Sequence, residues 1–338
     1  MAQLPDWDDL PEVKGMPKGC TWGLFDKNGV KDVFGTLNIL TKDVVQAAFA
    51  EARDGISISL NWPLGAIKTP GFARKPSEHK VLAFSESPFP CHAFDDEVSF
   101  NTQTSSQWDS LAHYLHQATQ QAYNGAKVTK DALVQGFGDE DKEHQYPTLN
   151  HWHERGGVVA RGVLIDYKAY ADTHGLKYNL FNNDQIKIED IEKIAQHQGV
   201  EFKLGDILIV RSGFTEALGA MTAEQQDEAM SAHRVIGVEG TESAAKWVWN
   251  KHFAAVAGDM IAFENLPPIV DGKEGTVKDL VLHSYLISLM GMSIGELWDL
   301  KALSEHCAEV KRYSFLLTSV PLNQPGAVGS PPNVLAIF

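Results

Sequence analysis

The sequence is poor in cysteine and has no long apolar run. Its three cysteines, Cys20, Cys91 and Cys307, are widely spaced and form no CxxC pair, so neither a disulfide framework nor a cysteine-based zinc site is predicted. Nowhere do about eighteen apolar residues follow one another, so we predict no membrane span. The first residues lack a basic segment followed by an apolar one, so we expect no signal peptide and a cytoplasmic location.

Basic residues are also scarce relative to acidic ones. The chain has 29 Lys and Arg against 44 Asp and Glu, which gives a formal net charge of −15. Nucleic acids and anionic membranes are bound through basic patches, so this balance argues against both as partners. With 43% apolar and 22% charged residues in 338 positions, the composition is that of a soluble globular protein with a substantial core.

Residues 101–117 hold the densest group of chemically useful side chains. An apolar stripe at helical spacing is formed by Trp108, Leu111, Ala112 and Leu115, and a neighbouring polar stripe is formed by Asp109, His113 and His116. Ser105 and Ser106 precede the stripes as possible helix caps. The pattern predicts a helix with one face in the core and the next in a cleft. Such clusters also arise for structural reasons alone, so the stretch by itself leaves both interpretations open.

The rest of the chain divides into alternating helices and strands. The predicted helices are residues 41–52, 184–198, 241–252 and 278–290, and the predicted strands are residues 56–60, 157–166, 205–211 and 253–257. Strands separated by helices, with some strands adjacent, indicate an α/β fold with a mixed sheet. We find no repeat or linker, so we predict one domain over residues 1–338 with an irregular N-terminal arm at about residues 1–34.

Three further segments are assigned to loops. Residues 63–90 contain several Pro and Gly, residues 136–146 are acidic and polar, and the residues around Trp152 form a short connection. The acidic segment is interpreted as solvated surface rather than as a metal site. We place the histidines of these regions outside the site: His79, His92, His151 and His153.

His283 stands within the strongly apolar segment 278–290, which ends at Gly291. An unpaired imidazole is costly to bury there, so His283 needs a partner. Glu296 cannot share its face on one continuous helix, but the break at Gly291 allows the chain to turn back and bring that carboxylate near. From the residues alone, this is either a buried His–Glu pair or part of a metal site.

The chain carries, in this order, Gln103, Gln107, Asp109, His113, His283 and Glu296. This order resembles the putative cyclase family, which includes bacterial kynurenine formamidases and isatin hydrolases. That family carries the signature His-x-Gly-Thr-His-x-Asp-x-Pro-x-His, and this chain has Gln103-Thr-Ser105-Ser106-Gln107-Trp-Asp109-Ser-Leu111-Ala-His113 in the same register. Further segments in the family's order are Arg161-Gly-Val-Leu-Ile-Asp166, Gly205-Asp-Ile-Leu-Ile-Val-Arg211, His252-Phe-Ala-Ala-Val-Ala-Gly-Asp259, and His283 with Glu296. Phe34-Gly-Thr-Leu-Asn38, the Ser-Gln-Trp-Asp core and the segment Ser330-Pro-Pro-Asn-Val-Leu-Ala-Ile-Phe338 resemble the fungal branch.

The resemblance implies a swivelling β/β/α fold and a set of site residues. Asp109, His283 and Glu296 match family metal ligands, and His113 matches the catalytic acid/base. Gln103 and Gln107 stand where the family has two ligand histidines. An amide oxygen is a poor replacement for imidazole on Zn²⁺ but is more acceptable to Mn²⁺ or Mg²⁺. We therefore predict one oxygen-rich site for a single divalent ion, with Gln103 and Gln107 as further ligands.

Two more residues of the stretch complete the predicted site. His116 is a second catalytic candidate, and Trp108 is a predicted substrate contact. The family's members commonly self-associate, so we expect a homo-oligomer, either a dimer or a tetramer.

The predicted function is hydrolysis of a small amide, lactam or lactone by metal-activated water, with His113 moving the proton. One alternative is a metal-free family member that only binds small molecules, as the two glutamines suggest. A second is a serine hydrolase, because Gly291-Met-Ser293-Ile-Gly295 satisfies the G-x-S-x-G pattern. That pattern requires a strand before the serine and a helix after it, whereas a helix is predicted before Ser293.

Overall fold

The computed structural model describes residues 4–89, 91–135, 145–270 and 272–338. Its strands, in chain order, are β1 (Ser57–Ser59), β2 (Glu78–Ala83), β3 (Phe94–Ser99), β4 (Gln107–Asp109), β5 (Val158–Asp166), β6 (Gln185–Ile186), β7 (Ile207–Arg211), β8 (Gly237–Val238), β9 (Ala255–Gly258), β10 (Ile269–Val270), β11 (Lys273–Glu274), β12 (Ile294–Glu296), β13 (Ser314–Ser319), β14 (Gly329–Ser330) and β15 (Val334–Ile337). Nine of them form one sheet in the order β1-β15-β13-β5-β7-β9-β12-β4-β14.

This sheet is mixed, as predicted. Strands β5, β7, β9 and β12 run parallel to one another, and the strands on either side of them pair antiparallel. Three two-stranded sheets lie outside it: the hairpin of β2 and β3, the hairpin of β10 and β11, and the parallel pair of β6 and β8. The predicted α/β class is therefore confirmed.

The helices are α1 (Lys42–Ala48), α2 (Lys130–Gln135), α3 (His151–Glu154), α4 (Tyr167–His174), α5 (Ile188–Gln198), α6 (Phe214–Gly219), α7 (Ala223–Met230), α8 (Glu242–Asn250) and α9 (Lys301–Val310), with a π-helix at His283–Met290. In the segments that the structure describes, none of these is long and apolar enough to cross a bilayer.

The central strands are apolar on both faces because both faces are covered. Along β5, Val163 and Ile165 belong to one buried cluster, whereas Leu164 between them belongs to another. The first cluster also contains apolar residues of α5, α8 and the π-helix, and the second contains those of α9. Strands buried on both sides read as continuous apolar runs, which explains why β5, β7 and β9 were visible in the sequence.

Several predicted boundaries are confirmed by local contacts. Thr41 caps α1 by accepting a hydrogen bond from the backbone N–H of Val44 at 3.4 Å, and α5 ends at Gly199 with φ 66°. The π-helix ends at Gly291, whose φ is 69°. Glycine adopts this left-handed backbone without steric cost, which is why it ends these helices.

The predicted helix at residues 101–117 is wrong. Residues 107–109 form β4, and the chain then enters turns. Ser105 and Ser106 are not caps. The hydroxyl of Ser105 donates to the backbone oxygen of Trp62 at 2.9 Å, and that of Ser106 donates to the oxygen of Leu297 at 2.7 Å. Pairing of β4 with β12 and β14 supplies backbone hydrogen bonds that override the helical periodicity.

Other differences are smaller. The predicted loop at residues 63–90 contains β2, which pairs with β3, and His151 and His153 lie on α3 instead of a loop. In the predicted acidic loop at residues 136–146, positions 136–144 lie outside the described residues. The described part of the N-terminal arm packs on the chain itself. The backbone N–H of Trp7 donates to Asn250 Oδ1 of α8 at 2.7 Å, and Trp22 Nε1 donates to the backbone oxygen of Ser288 in the π-helix at 2.7 Å.

Candidate active site

The candidate site is built where β4 lies beside β12. The two strands pair antiparallel, with Gln107 opposite Glu296 and Trp108 opposite Gly295. Side chains alternate between the faces of a strand, so Gln107 and Asp109 share one face while Trp108 points to the other. Residues directly opposite each other share a face, which places Glu296 with the first two.

Asp109, His283 and Glu296 come together at this point. One potential ligand atom from each lies within 4.8 Å of the other two, and all three residues are buried. His283 enters at the first residue of the π-helix, with its Nε2 at 3.3 Å from Glu296 Oε1. Glu296 Oε1 also accepts a hydrogen bond from the backbone N–H of Phe263 at 3.0 Å. Two carboxylates and one imidazole are therefore close enough to share one cation.

Another carboxylate, that of Glu264, orients His283, and it was not predicted as a site residue from the sequence. Glu264 is fully buried, and its Oε1 accepts from the backbone N–H of His283 at 2.7 Å and lies 2.9 Å from Nδ1 of the ring. Its Oε2 accepts from the backbone N–H of Val281 at 2.8 Å. This arrangement leaves Nε2 facing Glu296, which matches the carboxylate–histidine pattern common beside metal ions. The available signal was an isolated Glu in the otherwise uncharged segment 260–270.

Both glutamines lie in the site and bind the carboxylates through their amide N–H groups. Gln107 Nε2 donates to Glu296 Oε2 at 2.8 Å and to Gln103 Oε1 at 3.1 Å. Gln103 Nε2 in turn donates to Asp109 Oδ1. Within this group, Gln107 Oε1 and Asp109 Oδ2 are buried and have no hydrogen-bond donor among the described residues, where the other buried side-chain atoms without a partner are nitrogens of Gln198, His252 and His306 outside the group.

His113 borders this group. Its Nδ1 lies 3.8 Å from Asp109 Oδ1, and its side chain is 23% exposed while that of Asp109 is fully buried. A turn rather than a helix brings it there, since the backbone N–H of His113 donates to the oxygen of Ser110 at 3.0 Å. His113 thus meets both the carboxylate and the solvent.

His116 and Trp108 do not join the site. The chain turns after His113, and His116 Nδ1 contacts the hydroxyl of Thr119 at 3.0 Å. Trp108 is fully buried on the opposite face of β4, where its ring packs edge-on against Trp298 at 4.9 Å between centroids and its Nε1 donates to Ser319. The structure therefore does not bring His116 and Trp108 together with Asp109, His283 and Glu296, although both were predicted as site residues.

Arg74 is a further residue that the sequence did not reveal. It lies in the segment between β1 and β2, and its Nη1 donates to the backbone oxygen of Gln103 at 3.2 Å. Burial lowers the pKa of the Arg74 guanidinium, and the nearby carboxylates of Glu296 and Asp109 oppose this effect. Arg74 is therefore a cation that faces the acidic group.

The combined effect of burial and neighbouring groups raises the pKa values of both Asp109 and His283. Burial raises the pKa of Asp109, and the neighbouring Glu296 adds to this, while His113 and His283 lower it. Burial alone would lower the pKa of His283, but its hydrogen bonds to Glu264 and Glu296 outweigh that effect and raise it to about 10. The cluster holds a proton or another cation tightly because its carboxylates are shielded from water.

Ser293 is not arranged as the serine of a nucleophile elbow. It is buried, follows the π-helix and precedes β12. The elbow needs a strand before the serine and a helix after it, and here the order is reversed.

Comparison with known proteins identifies the family and the fold of the chain. A family model described as "Putative cyclase" matches residues 56–265, more than half of the chain. A crystal structure described as a novel cyclase superposes with a TM-score of 0.78 at 26% sequence identity, covering 94% of this chain and 99% of the other. The predicted cyclase-like fold is thereby confirmed over nearly the whole chain.

Two isatin hydrolase A structures share the fold at lower identity. The one from Labrenzia aggregata, bound to benzyl benzoate, has a TM-score of 0.57 and 13% identity, covering 89% of this chain and 98% of its own. The one from Ralstonia solanacearum has a TM-score of 0.56 and 14% identity, covering 88% and 97%. No functionally curated protein matches the sequence.

Proposed function

Because this chain belongs to the putative cyclase family, we propose that it is a metal-dependent hydrolase of a small amide, lactam or lactone. The proposal rests chiefly on the two buried acceptors without donors, Gln107 Oε1 and Asp109 Oδ2. A buried polar atom without a partner costs free energy, roughly 1–3 kcal/mol, and a cation bound between them would remove that cost. The isatin hydrolases, which share the fold, add a hydrolytic precedent.

The residues present fit a single divalent ion. Asp109, Glu296 and Nε2 of His283 would hold it, with Gln107 Oε1 as a further oxygen donor and Glu264 fixing the imidazole. A donor set of mostly oxygen atoms with one nitrogen suits Mn²⁺ or Mg²⁺ and is acceptable to Zn²⁺. The chemistry supplied by such an ion is activation of water and polarisation of a carbonyl group.

His113 is the proposed proton carrier. It takes a proton from the attacking water as the water oxygen bonds to the substrate carbonyl carbon. It then gives that proton to the leaving nitrogen or oxygen as the carbon–nitrogen or carbon–oxygen bond breaks. An imidazole suits this exchange near neutral pH, and the partial exposure of His113 allows its proton to equilibrate with solvent.

The two glutamines have a positioning role in this proposal. Their amide N–H groups bind one oxygen of Asp109 and one of Glu296, so each carboxylate is held with a defined orientation. A histidine at either position would instead offer an imidazole nitrogen as an additional metal ligand. We therefore infer a site with one ion rather than two.

A second candidate function, a metal-free binding protein, is favoured by the charge balance of the cluster. His283 carries a proton between Glu264 and Glu296, and Arg74 lies near Glu296 and Asp109. These cations offset much of the negative charge without a metal. The experiment described next separates the hydrolase from the metal-free binding protein.

The test is elemental analysis of protein purified without added metal, combined with hydrolysis of N-formyl anilines, isatin-like lactams and aromatic lactones. We expect about one divalent ion per chain, because one cluster of potential ligands is found in the part of the chain that the structure describes, and activity that a chelator abolishes and added Mn²⁺ restores. Asp109→Ala should lose both the ion and the activity. Asp96→Ala, which removes an exposed carboxylate of the hairpin, should keep both.

A protein that binds aromatic lactams without any metal, and hydrolyses none of these compounds, would favour the binding function. Hydrolysis unaffected by chelator, or metal retained by Asp109→Ala, would contradict the proposed centre.

A further inference from the structure

Arg74 reaches the site from a loop that belongs to neither β4 nor β12. Its hydrogen-bond partner is the backbone oxygen of Gln103, and the side chain of Gln103 in turn holds Asp109. The guanidinium carbon also lies 5.0 Å from the centre of the Phe72 ring. Arg74 is thus anchored beside the acidic group by one hydrogen bond and one ring contact.

The loop backbone that carries Arg74 is constrained. Phe72 and Ala73 both have positive φ angles, 60° and 54°, a conformation that residues with a Cβ atom seldom adopt. The Phe72 ring packs against His233 at 5.6 Å between centroids. The Phe72 ring therefore contacts both Arg74 and His233, and these contacts support the backbone shape of the segment that carries Arg74.

Most of the hydrogen-bonding capacity of Arg74 is unused within the described residues. A guanidinium presents several N–H donors in a planar fork that matches a carboxylate, and only Nη1 has a partner here. Lys75, the next residue, differs, because its Nζ pairs with Glu78 at 2.8 Å and donates to Ser99 at 2.9 Å. Of these two neighbouring cations, Arg74 is the one that faces the site with donors to spare.

We propose that Arg74 binds a carboxylate of the substrate, so that the enzyme acts on amides or lactones carrying an anionic group near the bond to be cleaved. This inference rests on the proposed hydrolase function and narrows its substrate class. The guanidinium attracts the anion and holds it beside the site, while the uncharged amide or ester group extends toward Asp109, His283 and Glu296. Without such a cation, those carboxylates would repel an anionic substrate.

The structural alternative is that Arg74 only offsets the charge of Asp109 and Glu296. The two roles differ in one measurable respect. Loss of the positive charge weakens anion binding under either role, so Arg74→Lys is the variant that separates them. Lysine fully replaces a residue that only balances charge, but it replaces only in part a guanidinium that binds the ligand's carboxylate through its planar fork, and full restoration of the preference by Arg74→Lys would overturn the inference.

The test is calorimetric binding of a matched pair, 2-aminobenzoate and its neutral amide 2-aminobenzamide, to the full chain with and without Mn²⁺. We expect the parent protein to prefer the anion and Arg74→Met to lose that preference by about 10- to 100-fold, the range of charge-assisted hydrogen bonds. Arg74→Lys should restore part of it. Lys75→Met, which removes the same charge from the neighbouring position, should keep it.

The inference is overturned if the parent protein shows no preference, if Arg74→Met retains it, or if Lys75→Met loses it equally. Thermal melts of each variant verify that it is folded, and Arg74→Lys supplies a second variant should Arg74→Met fail to fold.

A hydrolysis assay with 2-formamidobenzoate and 2-formamidobenzamide separates failure of this inference from failure of the proposed function. If neither compound is hydrolysed while the binding preference depends on Arg74, the hydrolase proposal is wrong and the anion site stands. If both are hydrolysed equally well by the parent protein and by Arg74→Met, the hydrolase stands and the anion site is wrong.

Discussion

Asp109 and Glu296 of the candidate site each accept a hydrogen bond from a side-chain amide. Gln103 binds Asp109 Oδ1 and Gln107 binds Glu296 Oε2. The other oxygen of Glu296 accepts from the backbone N–H of Phe263, whereas Asp109 Oδ2 has no donor among the described residues. An amide N–H stabilises a carboxylate without supplying a charge. The two glutamines are therefore compatible with the proposed site for one ion, because they bind the acidic groups without adding charge.

The two histidines after β4 should differ sharply in their contribution to activity. His113 lies 3.8 Å from Asp109, whereas His116 contacts Thr119. His113→Asn should lower kcat by roughly 100- to 10,000-fold, the usual contribution of a general acid/base, with metal content unchanged. His116→Asn should leave kcat within about twofold, because the structure gives its ring no part in proton transfer. Steady-state kinetics with metal analysis of both variants checks this, and equal losses would remove His113 from its proposed role.

Sequence reasoning found the residues whose identity alone suggests chemistry and missed those defined by their surroundings. Asp109, His283 and Glu296 combined metal-binding side chains with the order of a known family. Glu264 and Arg74 carried no comparable signal, because one matters through its hydrogen bonds to His283 and the other through a loop conformation. Neither property is encoded in local spacing.

The geometry of the candidate site depends on the pairing of strands β4 and β12, which places Gln107 opposite Glu296. Gly295 lies in the middle of β12, opposite Trp108 and beside Ala257 of β9. A Cβ atom at Gly295 would lie 2.7 Å from the Trp298 ring and 2.8 Å from the Cβ of Ala257. Glycine is therefore required at position 295, because its neighbours leave no room for a Cβ atom. Glu296 is the next residue of the same strand.

Gly295→Ala should destabilise the protein and disturb the site together. Overpacking of a buried position costs roughly 1–3 kcal/mol, and the displaced strand carries Glu296 away from Asp109, so we expect a lower melting temperature and weaker metal binding. Gly71→Ala is the matched control, because its added Cβ would meet open space. A Gly295→Ala protein with unchanged stability and metal affinity would contradict this account of the strand.

Helices and strands could be predicted from the sequence where the local pattern of apolar residues matched the burial of the element in the fold. The buried strands β5, β7 and β9 and the capped helices α1, α5 and α8 followed their apolar runs and end residues. The helix prediction for residues 101–117 failed because the segment has helical spacing but its residues 107–109 pair with β12 and β14, which lie far along the sequence. A short strand held by distant partners leaves little local pattern.

At the scale of the whole molecule, the site exists only in the folded chain. Gln107 and Glu296 are separated by 189 positions in the sequence and meet because their strands are neighbours in the nine-stranded sheet. An unfolded chain cannot hold these groups around one ion. A cation that binds the site must therefore stabilise the folded protein.

Adding a divalent cation should raise the melting temperature of the whole protein. At a cation concentration of about 100 times Kd, binding contributes about 2.7 kcal/mol, which corresponds to a rise of roughly 3–6 °C for a chain of this size. Glu296→Gln should abolish the rise, because it removes one negative ligand from the centre of the cluster. Glu97→Gln, an exposed change on the hairpin, should leave it intact. Thermal melts across a Mn²⁺ titration measure the effect, and an equal rise in the Glu296→Gln protein would place the bound cation elsewhere on this acidic molecule.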